Sequence, residues 1–185
     1  MRKLLGAVLC MSFFVAGCGE PKMTMMEPPQ KPVPPPELAK LEPWVGTWTG
    51  SAEFVMPEQM GGEKYAGGGT NSWTMDGMFL KGDGWHEMGE GVRAQYVEYW
   101  TWDPKAKKYR SWYFSNQGEF GQGWGNFAAD GKTMHSSFKG CDVMGNTMSG
   151  EGEMTMVNDR NMEWEFSMKS SNMGKMKMKG TSQKQ

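Results

Sequence analysis

Strict alternation of apolar and polar residues dominates the chain from Gly46 onward. Met162, Trp164, Phe166 and Met168 alternate with polar residues near the C-terminus, and residues 148–156 and 48–56 show the same pattern. Side chains of a strand point alternately to its two faces, so this period predicts strands with one packed and one hydrated face. No part of this region shows a sustained helical period.

Turn signals separate the alternating segments. Asp76-Gly77, Asp130-Gly131 and the Asp103-Pro104 pair are typical of tight connections between strands. The short connections predict an antiparallel meander, and closing it into a barrel removes exposed edges. We therefore expect an all-β fold, a single barrel of ten strands near residues 46–56, 66–76, 78–87, 92–102, 108–115, 119–128, 132–139, 147–157, 161–169 and 173–182.

Residues 1–17 have the composition of a secretory leader. Arg2 and Lys3 precede an apolar segment over residues 4–16, which is too short to span a bilayer. Gly17 then stands before Cys18, an ending that resembles the lipobox of bacterial lipoproteins. The resemblance implies cleavage before Cys18, acylation of Cys18, attachment to membrane lipid in the bacterial envelope and, because Asp does not follow the cysteine, the outer membrane. A plain signal peptide is the alternative.

Residues 18–37 are predicted to be a tether. Seven prolines fall within this segment, and proline fixes φ and favours an extended polyproline form. Such a segment acts as a semi-rigid spacer. The folded domain is therefore expected to span residues 38–185, beginning with a short helical turn at Leu38.

Several ordered motifs carry a family resemblance. Gly46-Thr47-Trp48 at the start of the first strand resembles the opening motif of lipocalins. Together with the segments 76–80, 99–103 and 130–133 it resembles the bacterial family called domain of unknown function 1579. This resemblance implies a lipocalin-like barrel and brings no activity or catalytic residue. In lipocalins a basic residue of the last strand packs over the first-strand tryptophan, and the candidates for Trp48 are Lys175, Lys177 and Lys179.

Aromatic residues and methionines recur across most predicted strands. If one stripe per strand faces inward, it lines the barrel, which at this size either holds one small ligand or is filled by side chains. Both readings stay open. Polar groups that are candidates to orient a ligand are Tyr96, Glu98, Tyr99, Arg110 and Tyr113. The predicted lining residues are Trp48, Phe54, Trp73, Trp100, Trp112, Trp124, Met154, Met156, Trp164 and Phe166.

The methionine content raises a second possibility. The chain has 20 methionines, and only Met1 and Met11 lie in the leader. Thioethers bind Cu(I) and Ag(I), although methionine is also a flexible filler of protein interiors. The candidate soft-metal ligands are the pairs Met154/Met156 and Met176/Met178, which a meander places on second-neighbour strands about 9–10 Å apart. No cofactor is expected, and the positions of His86 and His135 argue against haem.

Charge and motif content narrow the function classes. Without Arg2 and Lys3 the chain has 18 basic and 21 acidic residues, which does not suit a nucleic-acid partner. No catalytic motif is present, and Cys141 with His135 is a weak thiol pair, so no enzyme activity is expected. The leading hypothesis is binding of a small apolar or amphipathic ligand. The alternatives are a non-catalytic envelope interaction protein, with a partner left unnamed, or Cu(I)/Ag(I) binding.

Overall fold

The computed structural model describes residues 30–56, 64–89 and 91–185. The predicted leader, the acylation site at Cys18 and most of the proline-rich tether lie outside these residues. The barrel belongs to a compact unit that spans Val33–Gln185. No helix within the described ranges is long and apolar enough to cross a membrane.

The compact unit consists of one short helix followed by ten strands, close to the predicted boundaries. The helix is a 3₁₀ helix that starts with proline, whose fixed φ suits a first helical turn. The elements are the 3₁₀ helix Pro36–Trp44, β1 Gly46–Met56, β2 Lys64–Thr74, β3 Phe79–Glu87, β4 Arg93–Asp103, β5 Lys108–Ser115, β6 Phe120–Phe127, β7 Thr133–Cys141, β8 Thr147–Asn158, β9 Asn161–Ser170 and β10 Gly174–Lys184.

The ten strands form a closed antiparallel meander barrel. Each strand pairs with its neighbours in sequence, and β1 pairs with β10 to close the ring. The expected all-β fold, a single closed barrel of ten antiparallel strands, is confirmed. The order around the ring places β4 opposite β9, and β3 and β5 opposite β8 and β10.

Glycines on the inner face make room for large side chains of adjacent strands. A Cβ added at Gly84 would fall on the phenol ring of Tyr96, and one added at Gly180 would fall on the indole of Trp164. The same relation holds between Gly152 and Phe166. The rings of neighbouring strands therefore occupy the space that a side chain at each of these glycines would need.

The 3₁₀ helix closes one end of the barrel, which we call the capped end. Leu38, Leu41 and Trp44 of the helix are buried against Trp48 and Trp100. Trp44 meets Trp100 edge to face with ring centroids 5.8 Å apart, and its carbonyl accepts a 2.8 Å hydrogen bond from Trp48 Nε1. Other members of this core are Leu80, Tyr109, Met134 and Met156.

The opposite end of the barrel, here called the far end, carries the other set of strand connections. It includes the turns between β3 and β4, β5 and β6, β7 and β8, and β9 and β10. The largest cluster of buried apolar residues lies at the capped end, whereas Ala94 and Met176 are buried near the far end.

Candidate ligand-binding interior

A polar wall lines the far half of the interior on β3, β4 and β5. We use this name for His86, Tyr96, Glu98 and Tyr113. The strand register places them on one face, because Glu98 lies opposite Tyr113 and His86 lies opposite Ala94, on the inward face of β4. The ring centroids of Tyr96 and Tyr113 are 5.5 Å apart, and those of His86 and Tyr96 are 6.1 Å apart. The wall therefore combines a carboxyl group with three stacked or tilted rings.

Glu98 is the group of this wall whose charge is most affected by its surroundings. Burial raises the pKa of its carboxyl to about 7, although hydrogen bonds with the side chains of Trp100 and Ser111 act in the opposite direction. Near neutral pH the carboxyl therefore exists in both protonation states. It can donate a hydrogen bond in one state and carry a negative charge in the other.

The other titratable groups of the wall favour their neutral forms. Burial lowers the pKa of His86, and the charge of Glu119 only partly offsets this effect. Burial raises the pKa of Tyr96 to about 12 and also raises that of Tyr113. The Tyr113 hydroxyl donates a 3.3 Å hydrogen bond to Glu119 Oε2, which also accepts one of 3.1 Å from Ser115 Oγ. Glu119 thus holds the Tyr113 side chain of the polar wall in place.

An apolar wall faces the polar wall across the barrel. We use this name for Phe138, Met148, Phe166, Met168 and Met178 on β7 to β10. Pairing of Met178 with Phe166, and of Phe166 with Gly152, places them on the inward face. Long thioether side chains adapt to irregular shapes, so this wall suits an apolar chain of variable form.

The far half of the interior contains both buried and partly buried inward side chains; Ala94, Ser170 and Met176 are the buried ones. Core side chains at the capped end are 0% to 7% exposed. Tyr96, Glu98, Tyr113, Phe166 and Met178 point inward yet are only partly buried. These inward-facing side chains are therefore accessible to water from the far end of the barrel.

Eight of the ten predicted lining residues lie on the inward face, at two different levels. Five of them belong to or pack on the core of the capped end: Trp48, Trp73, Trp100, Met154 and Met156. Phe54, Trp164 and Phe166 lie on inward positions beyond that core. Among the predicted orienting groups, Tyr96, Glu98 and Tyr113 face inward, whereas Tyr99 and Arg110 face outward.

The prediction that Trp112 and Trp124 face the interior is wrong. Trp112 pairs with Gln122 and Trp124 with Arg110, all on the outer face. The Arg110 guanidinium carbon lies 5.5 Å from the centre of the Trp112 ring and 5.8 Å from that of Trp124. Three of the four inward positions of β6 are glycines, Gly121, Gly123 and Gly125, and Met134 Sδ would meet a Cβ at Gly125. The neighbouring strand therefore fills the space that an inward Trp124 would need.

The basic residue over Trp48 also differs from the prediction. Lys184 Nζ, not that of Lys175, Lys177 or Lys179, lies 5.3 Å from the centre of the Trp48 ring. Lys184 is paired directly with Trp48 in the register of β1 and β10. Lys179 Nζ instead pairs with Glu53 Oε1 at 2.9 Å, and Lys177 Nζ with Glu165 Oε1 at 2.8 Å.

The predicted soft-metal set is not brought together. Met154 and Met156 align with Gly180 and Ser182 across β9, and Met176 and Met178 lie nearer the far end. The four sulfur atoms are therefore separated along the barrel axis as well as by the intervening strand. Within the described residues, no group of three or more His, Cys, Asp or Glu side chains is placed to hold a metal.

The Cys141 and His135 pair is likewise separated. Both lie on β7, six residues and so about 20 Å apart along the strand. His135 Nδ1 instead lies 2.9 Å from Glu153 Oε1 on the outer face. This geometry does not support a thiol nucleophile activated by imidazole.

The outer surface has two further features. Shallow depressions of about 530 and 620 Å³ lie over β1 and β8 to β10, and charged or polar side chains dominate their lining. Exposed apolar side chains are concentrated in and beside the turns of the far end. We call this set the apolar rim; its members are 46% to 81% exposed and are Met88, Val92, Phe114, Phe120, Val143, Met144 and Met173.

Comparison with known proteins supports the fold. No family model and no curated protein sequence matches the chain. The crystal structure of Rv2717c from M. tuberculosis is similar, with a TM-score of 0.61, 11% identity and coverage of 83% of this chain and 99% of that chain. The S-type phycobiliprotein lyase CPES from Guillardia theta has a TM-score of 0.52, 9% identity and coverage of 78% and 90%. At these identities the likeness shows a lipocalin-like barrel and nothing finer.

Proposed function

We propose that the protein binds one small amphipathic molecule inside the far half of the barrel, without catalysing a reaction. The observation that carries this proposal is that polar and apolar side chains of the far half, among them Glu98, Tyr113 and Met178, face inward and remain partly exposed. The apolar wall would contact the chain of the ligand and the polar wall its head group. Sites of this kind are largely apolar with a few placed polar groups.

The proposal is tested by titration with N-phenyl-1-naphthylamine, an apolar fluorescent probe. We expect its fluorescence to rise and to saturate at one probe per chain, with displacement by n-dodecanol. Met178→Gln adds an amide to the apolar wall and should weaken probe binding several-fold. Met144→Gln makes the same change at a residue 81% exposed and should leave binding unchanged. Absence of saturable binding in the folded protein would exclude this function.

The cellular setting is part of the same proposal. The leader and the residue pattern before Cys18 support a lipid-anchored protein of the bacterial envelope, in the outer membrane. Mass spectrometry of protein purified from bacterial membranes tests this: an acylated N-terminal Cys18 is expected, and an unmodified chain cut elsewhere would contradict it. Membership of the domain of unknown function 1579 family stays a prediction from the motifs.

A second candidate function is docking of the far end on a lipid surface, by which a ligand would pass between membrane and barrel. The apolar rim is the observation that favours it, since side chains from four separate connections surround the end where the two walls lie.

A further inference from the structure

We propose that the head group accepted by the polar wall is a protonated amine, so that the ligand is an amine carried on an apolar chain. This inference rests on the proposed function, since it names the ligand class of the same interior site.

Few charged side chains face the interior of the barrel. Among the inward strand positions that the structure describes, Glu98 is the only carboxylate, and Lys184 is the only lysine or arginine. Lys184 lies at the capped end, where its Nζ donates a 3.0 Å hydrogen bond to the Pro43 carbonyl and covers Trp48. An anionic head group would meet Glu98 without a compensating cation, which is costly in a partly desolvated interior.

Two tyrosine rings lie beside the Glu98 carboxyl. Tyr113 lies directly opposite Glu98, and Tyr96 lies two residues away on the same face of β4. The centroids of these two rings are 5.5 Å apart and tilted by 31°. The faces of tyrosine rings attract cations, and cages of such rings bind ammonium groups. A carboxylate flanked by two phenols therefore favours a cation over a neutral or anionic group.

Binding of an amine would also be coupled to loss of the proton from the Glu98 carboxyl. The titratable groups beside this carboxyl are Tyr96 on its own strand and Tyr113 on β5. Tyr96 in turn contacts His86 on β3, and Tyr113 is hydrogen-bonded to Glu119 at the turn after β5. None of them supplies a positive charge near neutral pH, because burial lowers the pKa of His86. An incoming ammonium would favour the carboxylate, so a proton would leave Glu98 as the amine binds.

The test compares three ligands with the same chain and different head groups. Dodecylammonium, n-dodecanol and dodecanoate are titrated, each below its micelle concentration, to displace N-phenyl-1-naphthylamine at pH 8. We expect dodecylammonium to displace the probe at least tenfold more effectively than dodecanol, and dodecanoate to be the weakest. Equal potency of amine and alcohol, or a preference for dodecanoate, would overturn the amine assignment. Failure of the probe and of dodecanol to bind would instead remove the proposed function itself.

Two variants locate the source of the preference. Glu98→Gln should reduce the ratio of amine to alcohol potency to about threefold or less, whereas Glu165→Gln changes a carboxylate on the outer face and should leave the ratio intact. Circular dichroism checks that both variants fold. In weakly buffered solution at pH 7 the unmodified protein should release a fraction of a proton per amine bound, and Glu98→Gln should release none. A tenfold preference that persists in Glu98→Gln would place the cation site elsewhere and contradict the inference.

Discussion

Lys184 Nζ lies 5.3 Å from the centre of the Trp48 ring and donates a 3.0 Å hydrogen bond to the carbonyl of Pro43. The contact joins the last strand, the first strand and the 3₁₀ helix in one place. Trp48 in turn donates to the carbonyl of Trp44. These contacts tie the 3₁₀ helix to both the first strand and the last strand of the barrel. The free energy of unfolding should therefore depend on Lys184.

Replacing Lys184 by methionine should destabilise the fold. Met keeps an unbranched apolar side chain but loses the charge over the indole and the hydrogen bond, which together should cost about 1–2 kcal/mol. Urea unfolding followed by tryptophan fluorescence measures the change. Lys179→Met removes only a surface ion pair with Glu53 and should cost less than about 1 kcal/mol. Equal effects of the two substitutions would show that Lys184 is merely another surface lysine.

The 3₁₀ helix is predicted to be part of the folding unit rather than an attached segment. Leu41 is fully buried in the core of the capped end, so Leu41→Ala should lower the free energy of unfolding by about 2–5 kcal/mol. Val33 precedes the helix and is 83% exposed, so Val33→Ala should change it by less than about 0.5 kcal/mol. Thermal unfolding of both variants tests this, and a barrel unaffected by Leu41→Ala would mean that the cap contributes nothing to stability.

The strands could be predicted from the sequence because period-two alternation and turn residues are local signals. β1 and β5 have the predicted limits, and the other strands differ by one or two residues at their ends. On β5, however, aromatic residues occupy both faces, as with Trp112 and Tyr113. On such a strand, alternation of apolar and polar residues does not show which face points into the barrel. The register of the closed barrel decides it, because Ser111 and Met134 of the neighbouring strands occupy the space beside Gly123 and Gly125 on the inward face of β6.

The stability of the protein should fall as the pH rises through neutrality, because of Glu98. Its pKa is about 7 in the folded state and lies near the ordinary value of 4.5 in the unfolded state. The folded state therefore binds more protons between these values, and the stabilisation is complete below pH 4.5 and lost as pH rises through 7. The difference is at most about 3 kcal/mol.

Comparison with Glu98→Gln isolates this contribution. His86 titrates in the same range with the opposite sign, because its lowered pKa makes the folded state bind fewer protons as pH falls. Subtracting the unfolding free energies of Glu98→Gln from those of the unmodified protein, at each pH from 4.5 to 8, removes the effect of His86. The difference curve should slope downward with pH, and a flat curve would show that Glu98 is not desolvated in the folded state.

The apolar rim makes a separate prediction about lipid surfaces. A Cys18→Ala form of the mature chain, which cannot be acylated, should still sediment with vesicles of phosphatidylethanolamine and phosphatidylglycerol. Adding Met144→Glu at the far end should abolish this binding. Adding Met75→Glu, at a residue 62% exposed in a turn of the capped end, should not. If both glutamates weaken binding equally, the rim is not the docking surface.

The candidate site was only partly predictable, because it depends on which strands face each other across the barrel. Tyr96, Glu98 and Tyr113 could be named from their polar character within apolar strands. Their position opposite Met168 and Met178 follows from the ring order of ten strands, which places β4 across from β9. Lys184 was missed as the partner of Trp48 because its role depends on pairing between the two chain ends, which no local pattern encodes.

The most direct test of ligand binding inside the barrel uses the methionines as reporters. Methyl groups of ¹³C-labelled methionine are assigned with single Met→Leu variants and followed by NMR during titration with N-phenyl-1-naphthylamine. The naphthyl ring should shift the methyl signals of Met168 and Met178, which face the interior, to saturation at one probe per chain. The signal of Met75, in the exposed turn at the capped end, should not move. Stationary signals from Met168 and Met178, with shifts only at Met144 or Met173, would contradict an interior site.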